Sequence, residues 1–272
     1  MQRAIITGAS SGIGAAMARE LSRRGYALAL LARRTDLIQQ LASELPNTVA
    51  FPCDVTDKSA VADAVARAGD IDVAIANAGV GVSGWATKLI AEAEQMMRVN
   101  YFGMLYLFDA LIPKMMERRS GRFAGIASLA GLRGLPTAAG YSASKAAMQA
   151  YLEAARVELK KFTVRVITVN PGFIDTPMTE KNKFKMPFLM NAEQAAKVIV
   201  DGIERGKRVV EFPLPMSMLT RFGRHVPNGI WDSVTSRSPV KLNTAFAKRS
   251  GFASGRCATF SCCDSSSRRS SI

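Results

Sequence analysis

Histidine is almost missing from this chain. His225 is the only one in 272 residues, so a catalytic triad built on histidine and a multi-His metal site are both excluded. Cysteine is scarce too. Cys53 lies within the apolar part of the sequence, whereas Cys257, Cys262 and Cys263 crowd a polar stretch near its end. No pair with zinc-ligand spacing is backed by a second pair, and four cysteines in a chain of this length do not make a disulfide framework. The expectation is a cytoplasmic protein with reduced thiols and no metal. No apolar run approaches the ~20 residues that cross a bilayer. The opening MQRAIITGAS leads directly into a β-rich run, without a signal-peptide layout.

Negative charge is the other shortage, with 22 Asp and Glu against 36 Lys and Arg and a net charge of +14. Nucleic acid is the first partner such a balance suggests, and the sequence argues against it. From residue 237 onward seven Lys and Arg face only Asp264, which accounts for +6 of the excess. The rest is scattered, with no zinc finger, no aromatic RNA-binding strand and no single basic helix. The balance suits anionic small molecules, acidic partners or a membrane surface.

What the chain has is alternation. Seven short β-rich runs, at 4–7, 26–32, 49–53, 71–76, 122–128, 164–170 and 208–212, are separated by helix-periodic segments at 12–24, 35–45, 57–68, 92–119, 141–161 and 191–205. This pattern predicts right-handed βαβ units and a doubly wound, seven-stranded parallel sheet, with helices on both faces of a single α/β domain over 1–212. Residues 213–245 read as short helices with apolar and basic sides. They are expected at the substrate mouth, at an oligomer contact or on a membrane surface. The Ser-rich stretch 246–272 is too poor in large apolar residues to order itself.

The first run opens into Thr7-Gly8-Ala9-Ser10-Ser11-Gly12-Ile13-Gly14 and then a helix. Glycines in that position let the backbone turn and approach a pyrophosphate, and let the helix sit close to the sheet, while the helix N-terminus presents free N–H groups. The second run ends Leu31-Ala32-Arg33-Arg34, with no carboxylate before Asp36. An acidic residue there would hold a ribose 2′-hydroxyl, whereas an arginine fork suits a 2′-phosphate. NADP(H) is therefore the expected cofactor, with NAD(H) as the alternative. Asp54-Val55 and Asn77-Ala78-Gly79 close the third and fourth runs. There they fit either a ligand at the carboxyl edge of the sheet or ordinary turn chemistry.

TGASSGIG (7–14), DV (54–55), NAG (77–79), Asn100, Ser128, YSASK (141–145) and PGFIDT (171–176) occur in an order that resembles the short-chain dehydrogenase/reductase family. The resemblance runs over about residues 3–212 and implies a Rossmann-type fold. One departure is Ala76, where the family often has a first Asn. The resemblance implies Tyr141 as acid/base, Lys145 as its activator and ribose ligand, Ser128 as the carbonyl-orienting hydroxyl and Asn100 in a water-borne proton relay. Thr176 would hold the nicotinamide carboxamide. The expected cofactor site comprises Gly8, Ser10, Ser11, Gly12, Ile13, Gly14, Arg33, Arg34, Asp54, Val55, Asn77, Ala78, Gly79, Tyr141, Lys145, Pro171, Gly172, Ile174 and Thr176.

The chemistry has a physical reason. Reduction of a ketone builds negative charge on its oxygen, so a donor must meet it, and the reverse reaction needs phenolate. A lysine one helical turn after the tyrosine, with oxidised nicotinamide, is expected to lower the phenol pKa by roughly 2–3 units. Reduction of a small or lipid-like carbonyl follows as the expected function. Its rivals are an alcohol dehydrogenase running oxidatively, a non-catalytic NADP-binding regulator and a membrane-surface adaptor.

Leu132, Leu135, Met178, Phe184, Met186, Phe188, Leu189 and Met190 are expected to line an apolar pocket, while Lys181, Lys183 and Lys185 either steer an anionic substrate or simply keep a loop soluble. Pairing through 92–119 and 141–161 into a homodimer or homotetramer is implied by the resemblance.

Overall fold

The computed structural model describes residues 1–180 and 186–236. Lys181, Lys183, Phe184 and Lys185, and the stretch from 237 onward, lie outside the described residues. The β-rich runs form β1 (Arg3–Thr7), β2 (Ala27–Ala32), β3 (Thr48–Pro52), β4 (Val73–Ala76), β5 (Gly121–Ile126), β6 (Val164–Pro171) and β7 (Val209–Phe212). They pair in parallel in the order β3-β2-β1-β4-β5-β6-β7, the seven-stranded doubly wound sheet that the alternation predicts.

Neighbouring residues of one strand serve opposite cores, as a two-residue period requires. Ile5 and Leu31 pack with Val61, Leu107, Leu111 and Leu152. These come from α3 (Lys58–Ala68), α5 (Gly103–Glu117) and α6 (Ala139–Glu158). Ile6 and Leu30 pack on the other face with Met17, Leu21, Leu41, Ile199 and Val200, from α1 (Gly12–Arg23), α2 (Thr35–Glu44) and α7 (Ala192–Glu204). Both sheet faces are covered, which is why the strands read as near-continuous apolar runs. From β1 the order proceeds to β2 on one side and to β4 on the other. The crevice at the carboxyl ends of β1 and β4 is therefore the switch point of the sheet, where open α/β sheets take ligands.

One element differs from the periodicity. The long helix expected at 92–119 is three pieces: α4 (Ile90–Met96), a π-helical segment Met97–Phe102, and α5. Asn100 sits inside the π segment. Beyond β7, the apolar-plus-basic stretch forms α8 (Leu214–His225) and α9 (Asn228–Ser236). Among the described residues no helix is long and apolar enough to cross a membrane.

Arg24, just after α1, ties that helix to α7. Its guanidinium donates to Glu20 at 2.5 Å, Asp201 at 2.6 Å and Glu204 at 2.5 Å, and its side chain is only 17% exposed. Burial would raise the Glu20 carboxyl, but the hydrogen bonds and charges of Arg23 and Arg24 outweigh it and hold it below 4.5. The Arg24 hydrogen bond and charge hold Asp201 below 3.8. Carboxylates held low stabilise the fold above those ordinary values and lose that contribution as pH falls through their depressed ones. Arg24→Met is expected to cost about 2 kcal/mol at neutral pH, between the exposed and buried limits for ion pairs. Urea unfolding should show that deficit shrinking below about pH 4.

Candidate active site

The turn after β1 comes very close to the end of β4. Gly8 has φ +67°, and a Cβ there would lie 2.7 Å from the Ala78 Cα. A Cβ on Gly14 would collide with the Gly8 carbonyl oxygen and lie 2.6 Å from Asn77 Nδ2. Asn77 is the clasp. Its Nδ2 donates to the Thr7 and Gly8 carbonyls at 3.0 and 3.2 Å, and its backbone N–H donates to Thr7 Oγ1 at 3.0 Å. The same Thr7 hydroxyl accepts from the Ala78 N–H at 3.1 Å.

Helix α1 begins at this turn without a side-chain cap on Ser11 and with no acid in its first turn. By contrast α3 is capped by Asp57 and α7 by Asn191. Uncapped N–H groups and the helix dipole make the start of α1 an anion site. Arg34 lies across it, donating to Ser10 Oγ at 2.8 Å and Ser11 Oγ at 2.5 Å. Arg33 stands 3.9 Å from Asp54. One oxygen of Asp54 accepts from the Thr56 N–H and hydroxyl, so turn chemistry accounts for part of that residue. The PGFIDT turn closes the opposite wall, where Thr176 packs at the distance a Gly12 Cβ would occupy, with its methyl 3.2 Å from that point.

A crevice of about 580 Å³ runs through these groups. Every residue of the expected cofactor site lines it: Gly8 to Gly14 without Ala9, Arg33, Arg34, Asp54, Val55, Asn77 to Gly79, Tyr141, Lys145, Pro171, Gly172, Ile174 and Thr176. Ser128 lines it as well. It stands two residues past β5 and caps a short turn, its Oγ accepting from the Ala130 N–H at 3.1 Å. The same hydroxyl makes a long contact to the Pro171 carbonyl, 3.5 Å, and a hydrogen bond with Tyr141.

Asn100 does not line the crevice and is fully buried. Its Oδ1 accepts from the Val80 N–H at 2.8 Å, and its Nδ2 donates to the Val80 carbonyl at 3.0 Å and to Ser144 Oγ at 2.9 Å. A Cβ on Gly79 would touch both Asn100 Oδ1 and Lys145 Nζ, at 3.3 and 3.5 Å.

The protein's own groups run against the expected lowering of the phenol, which counts on oxidised nicotinamide as well. Burial pushes the Tyr141 phenol above 10, against the opposing pull of a hydrogen bond with Ser128. Burial also lowers the Lys145 ammonium to about 7. Loss of water outweighs pairing because Lys145 Nζ is turned to the Ile126 carbonyl, 2.7 Å away, and stands 5.7 Å from the centre of the Tyr141 ring. Among the described residues, the ammonium beside the phenol is therefore only partly charged at neutral pH.

The model of the short chain dehydrogenase family matches residues 2–186. The chain belongs to the short-chain dehydrogenase family. An uncharacterized oxidoreductase of Myxococcus xanthus is 37% identical to this short-chain dehydrogenase over 243 residues, 86% of this chain and 96% of that protein. A short chain dehydrogenase from Burkholderia cenocepacia, solved in complex with NADP, superimposes with a TM-score of 0.76 at 30% identity, over 86% of this chain and 99% of that one. An alcohol dehydrogenase from the archaeon Thermococcus sibiricus, complexed with 5-hydroxy-NADP, gives 0.71 at 30% identity, over 78% and 95% of the two chains.

Several groups of this short-chain dehydrogenase escape a reading of motifs. Gly81 lies under the Tyr141 ring, since a Cβ there would be 3.2 Å from it, and Met178 flanks the same point. Gln149, two turns after Tyr141, donates to the Ser128 carbonyl at 2.7 Å and to Asn170 Oδ1 at 2.9 Å. Asn170 passes the chain to Glu211 at 3.1 Å, and Arg221 of α8 holds Glu211 at 2.7 Å. The i, i+8 spacing of Tyr141 and Gln149 was the available signal.

Of the expected pocket residues, Met178 lines the crevice, and Phe188 and Leu189 are exposed. Leu132 and Leu135 instead line a separate groove of about 390 Å³ under α8 and α9, because the turn after Ser128 carries them away from the sheet edge.

Asn77→Ala would leave the Thr7 and Gly8 carbonyls without their donor. It is expected to cost about 2 kcal/mol, read as a lower urea midpoint with faster amide exchange over residues 8–14.

Proposed function

We propose that this short-chain dehydrogenase reduces a carbonyl to an alcohol, reversibly, using NADPH and with Tyr141 as the proton donor. The observation that carries the reading is that Tyr141, Ser128 and Lys145 share one crevice with the glycine turn and the Arg34 fork. A dinucleotide suits this cradle on structural grounds. There is no room for a Cβ at Gly8 or Gly14, α1 starts without a cap, and a guanidinium rests on two serine hydroxyls at its mouth. Gly8 to Gly14 would hold the pyrophosphate, Ser10, Arg33 and Arg34 a 2′-phosphate, Asp54 and Val55 the adenine, and Thr176 the carboxamide. When bound, the nicotinamide supplies or accepts a hydride at its C4.

The chain's own residues handle the oxygen and its proton. The Ser128 hydroxyl accepts from the Ala130 N–H and is hydrogen-bonded with Tyr141, so a carbonyl oxygen entering between the two would accept from both. Tyr141 then gives its proton to that oxygen as negative charge grows there. A phenol raised above 10 stays protonated through neutral pH, which suits the reducing direction. Lys145 replaces the lost charge when protonated and favours phenolate in the reverse direction. Asn100 fixes the 80–81 backbone against which Tyr141 packs, with its amide engaged by Val80 and Ser144.

The B. cenocepacia structure holds NADP, and this chain has two arginines and no acid where β2 ends, which supports NADPH over NADH. Homo-oligomer formation through α5 and α6 belongs to the same proposal. A shallow apolar depression between Phe108, Ile112, Met116, Tyr151 and Phe162, with Val157 exposed beside it, supports it.

Tyr141→Phe is expected to remove ketone-dependent NADPH oxidation while leaving NADPH affinity within about twofold. Wild-type turnover in that variant would eliminate the tyrosine from the mechanism. Arg34→Ala is expected to weaken NADPH binding by about 10- to 100-fold, the worth of charge-assisted hydrogen bonds to a phosphate, and to leave NADH binding unchanged. Fluorescence titration with both nucleotides measures it, and equal losses for the two would assign the arginine no part in the choice.

A further inference from the structure

Strand β7 reads Val209-Val210-Glu211-Phe212, an apolar strand with one carboxylate in it. Its register partner in β6 is Asn170. Asn170 is 3% exposed and the Glu211 side chain 10%. Burying a carboxylate is costly unless it is paired, so a residue that breaks the apolar pattern here calls for a reason. Gln149, Asn170 and Glu211 all stand outside the lining of the crevice. A ligand there meets them only through other residues.

We propose that Gln149 and Glu211 are positioning residues that hold Ser128 in place, the Glu211 carboxylate setting the direction of the hydrogen bonds between them. The proposal rests on the reductase reading, in which Ser128 meets the substrate carbonyl. Ser128 lies beyond the last pair of β5, Ile126 with Val169, so the sheet ladder does not hold its carbonyl. That oxygen accepts instead from Gln149 Nε2 at 2.7 Å and from the Gly131 N–H at 3.0 Å. Gly131 is pressed against the same spot. A Cβ on it would lie 2.8 Å from Gln149 Nε2 and 2.8 Å from the Lys145 carbonyl carbon. The turn that carries the serine is thus seated on α6, and Gln149 is the side chain that grips it.

A side-chain amide keeps nearly the same shape when its oxygen and nitrogen are exchanged, so its direction must come from a partner that only donates or only accepts. Glu211 is that partner. Its Oε2 accepts from Arg221 Nε at 2.7 Å, and its Oε1 accepts from Asn170 Nδ2 at 3.1 Å. Asn170 must then turn Oδ1 toward Gln149, whose Nε2 donates to it at 2.9 Å and so faces the Ser128 carbonyl as a donor. With a neutral amide at 211 the chain of bonds can run backwards. A reversed Gln149 would set its oxygen against the carbonyl oxygen of Ser128, which then loses its donor.

The experiment compares Glu211→Gln, Gln149→Met and the double variant with the wild-type chain in two measurements. Amide exchange at Ala130 and Gly131, whose N–H groups bond Ser128, is followed by NMR without substrate. It is expected to be about tenfold faster in each variant, with exchange along α6 unchanged. In ketone-dependent NADPH oxidation, kcat is expected to fall about tenfold while KM and NADPH affinity stay within about twofold. The double variant is expected to lose no more than Gln149→Met alone, because the groups act as one chain. The proposal is overturned if either single variant exchanges at the wild-type rate, if exchange quickens throughout α6, or if the two losses multiply in the double variant. Faster exchange confined to the turn, in a protein that reduces no ketone, supports the positioning role and removes the reductase reading instead.

Discussion

The contact between the turn after β1 and the end of β4 sets the geometry of everything above it. Two backbones meet there with no room for a side chain at Gly8 or Gly14, and one amide, Asn77, holds the start of the turn at Thr7 and Gly8. Parallel strands give no hydrogen bonds beyond their last residues, so the carbonyls of Thr7 and Gly8 would otherwise be left at the edge of a buried sheet. With those carbonyls satisfied, the first N–H groups of α1 point into the crevice and remain uncapped. An anion-binding helix end and a tight strand junction are thus one construction. The same clasp places Gly79 between Asn100 and Lys145, which connects the phosphate end of the crevice to the acid/base end.

At that second end, burial competes with charge. Lys145 and Tyr141 stand one helical turn apart, yet desolvation moves the lysine down and the phenol up. Each shift favours the neutral form of its own group. The resting arrangement is thus a protonated phenol beside an amine whose charge is nearly balanced against its loss. Such a pair is poised to donate rather than to accept, and a positive charge arriving nearby would tip it the other way. The polar chain from Ser128 through Gln149, Asn170 and Glu211 to Arg221 fixes the third member of the group from behind, with its hydroxyl toward Tyr141.

Much of this was legible in the amino acids. Strand–helix alternation and the apolar runs of β1 to β7 gave the sheet, because strands covered on both faces must be apolar throughout. The glycine turn and the arginines after β2 were readable from their places at strand ends, and YSASK only from the order of the motifs around it. The π segment was not legible. Six residues of 97–102 look helical by pattern, and only the hydrogen bonds of Asn100 to Val80 and Ser144 reveal why the winding loosens there. Leu132 and Leu135 were misplaced because period and polarity say that a loop is apolar without saying which groove it enters. The contacts of Gln149 and Arg133 were not legible, since their partners are carbonyl and amide oxygens brought close only by the fold.

The loosened winding at Met97–Phe102 has a consequence of its own. A π turn absorbs one extra residue locally, so the helix beyond it resumes with its buried side still inward, as Leu107, Leu111 and Met115 do. The chain could therefore be shortened by one residue within that bulge without rotating the rest of the helix out of the core. What such a deletion would withdraw is the Asn100 amide from Val80. At this point in the sequence the architecture and the chemistry are separable, and a length change of one residue distinguishes them.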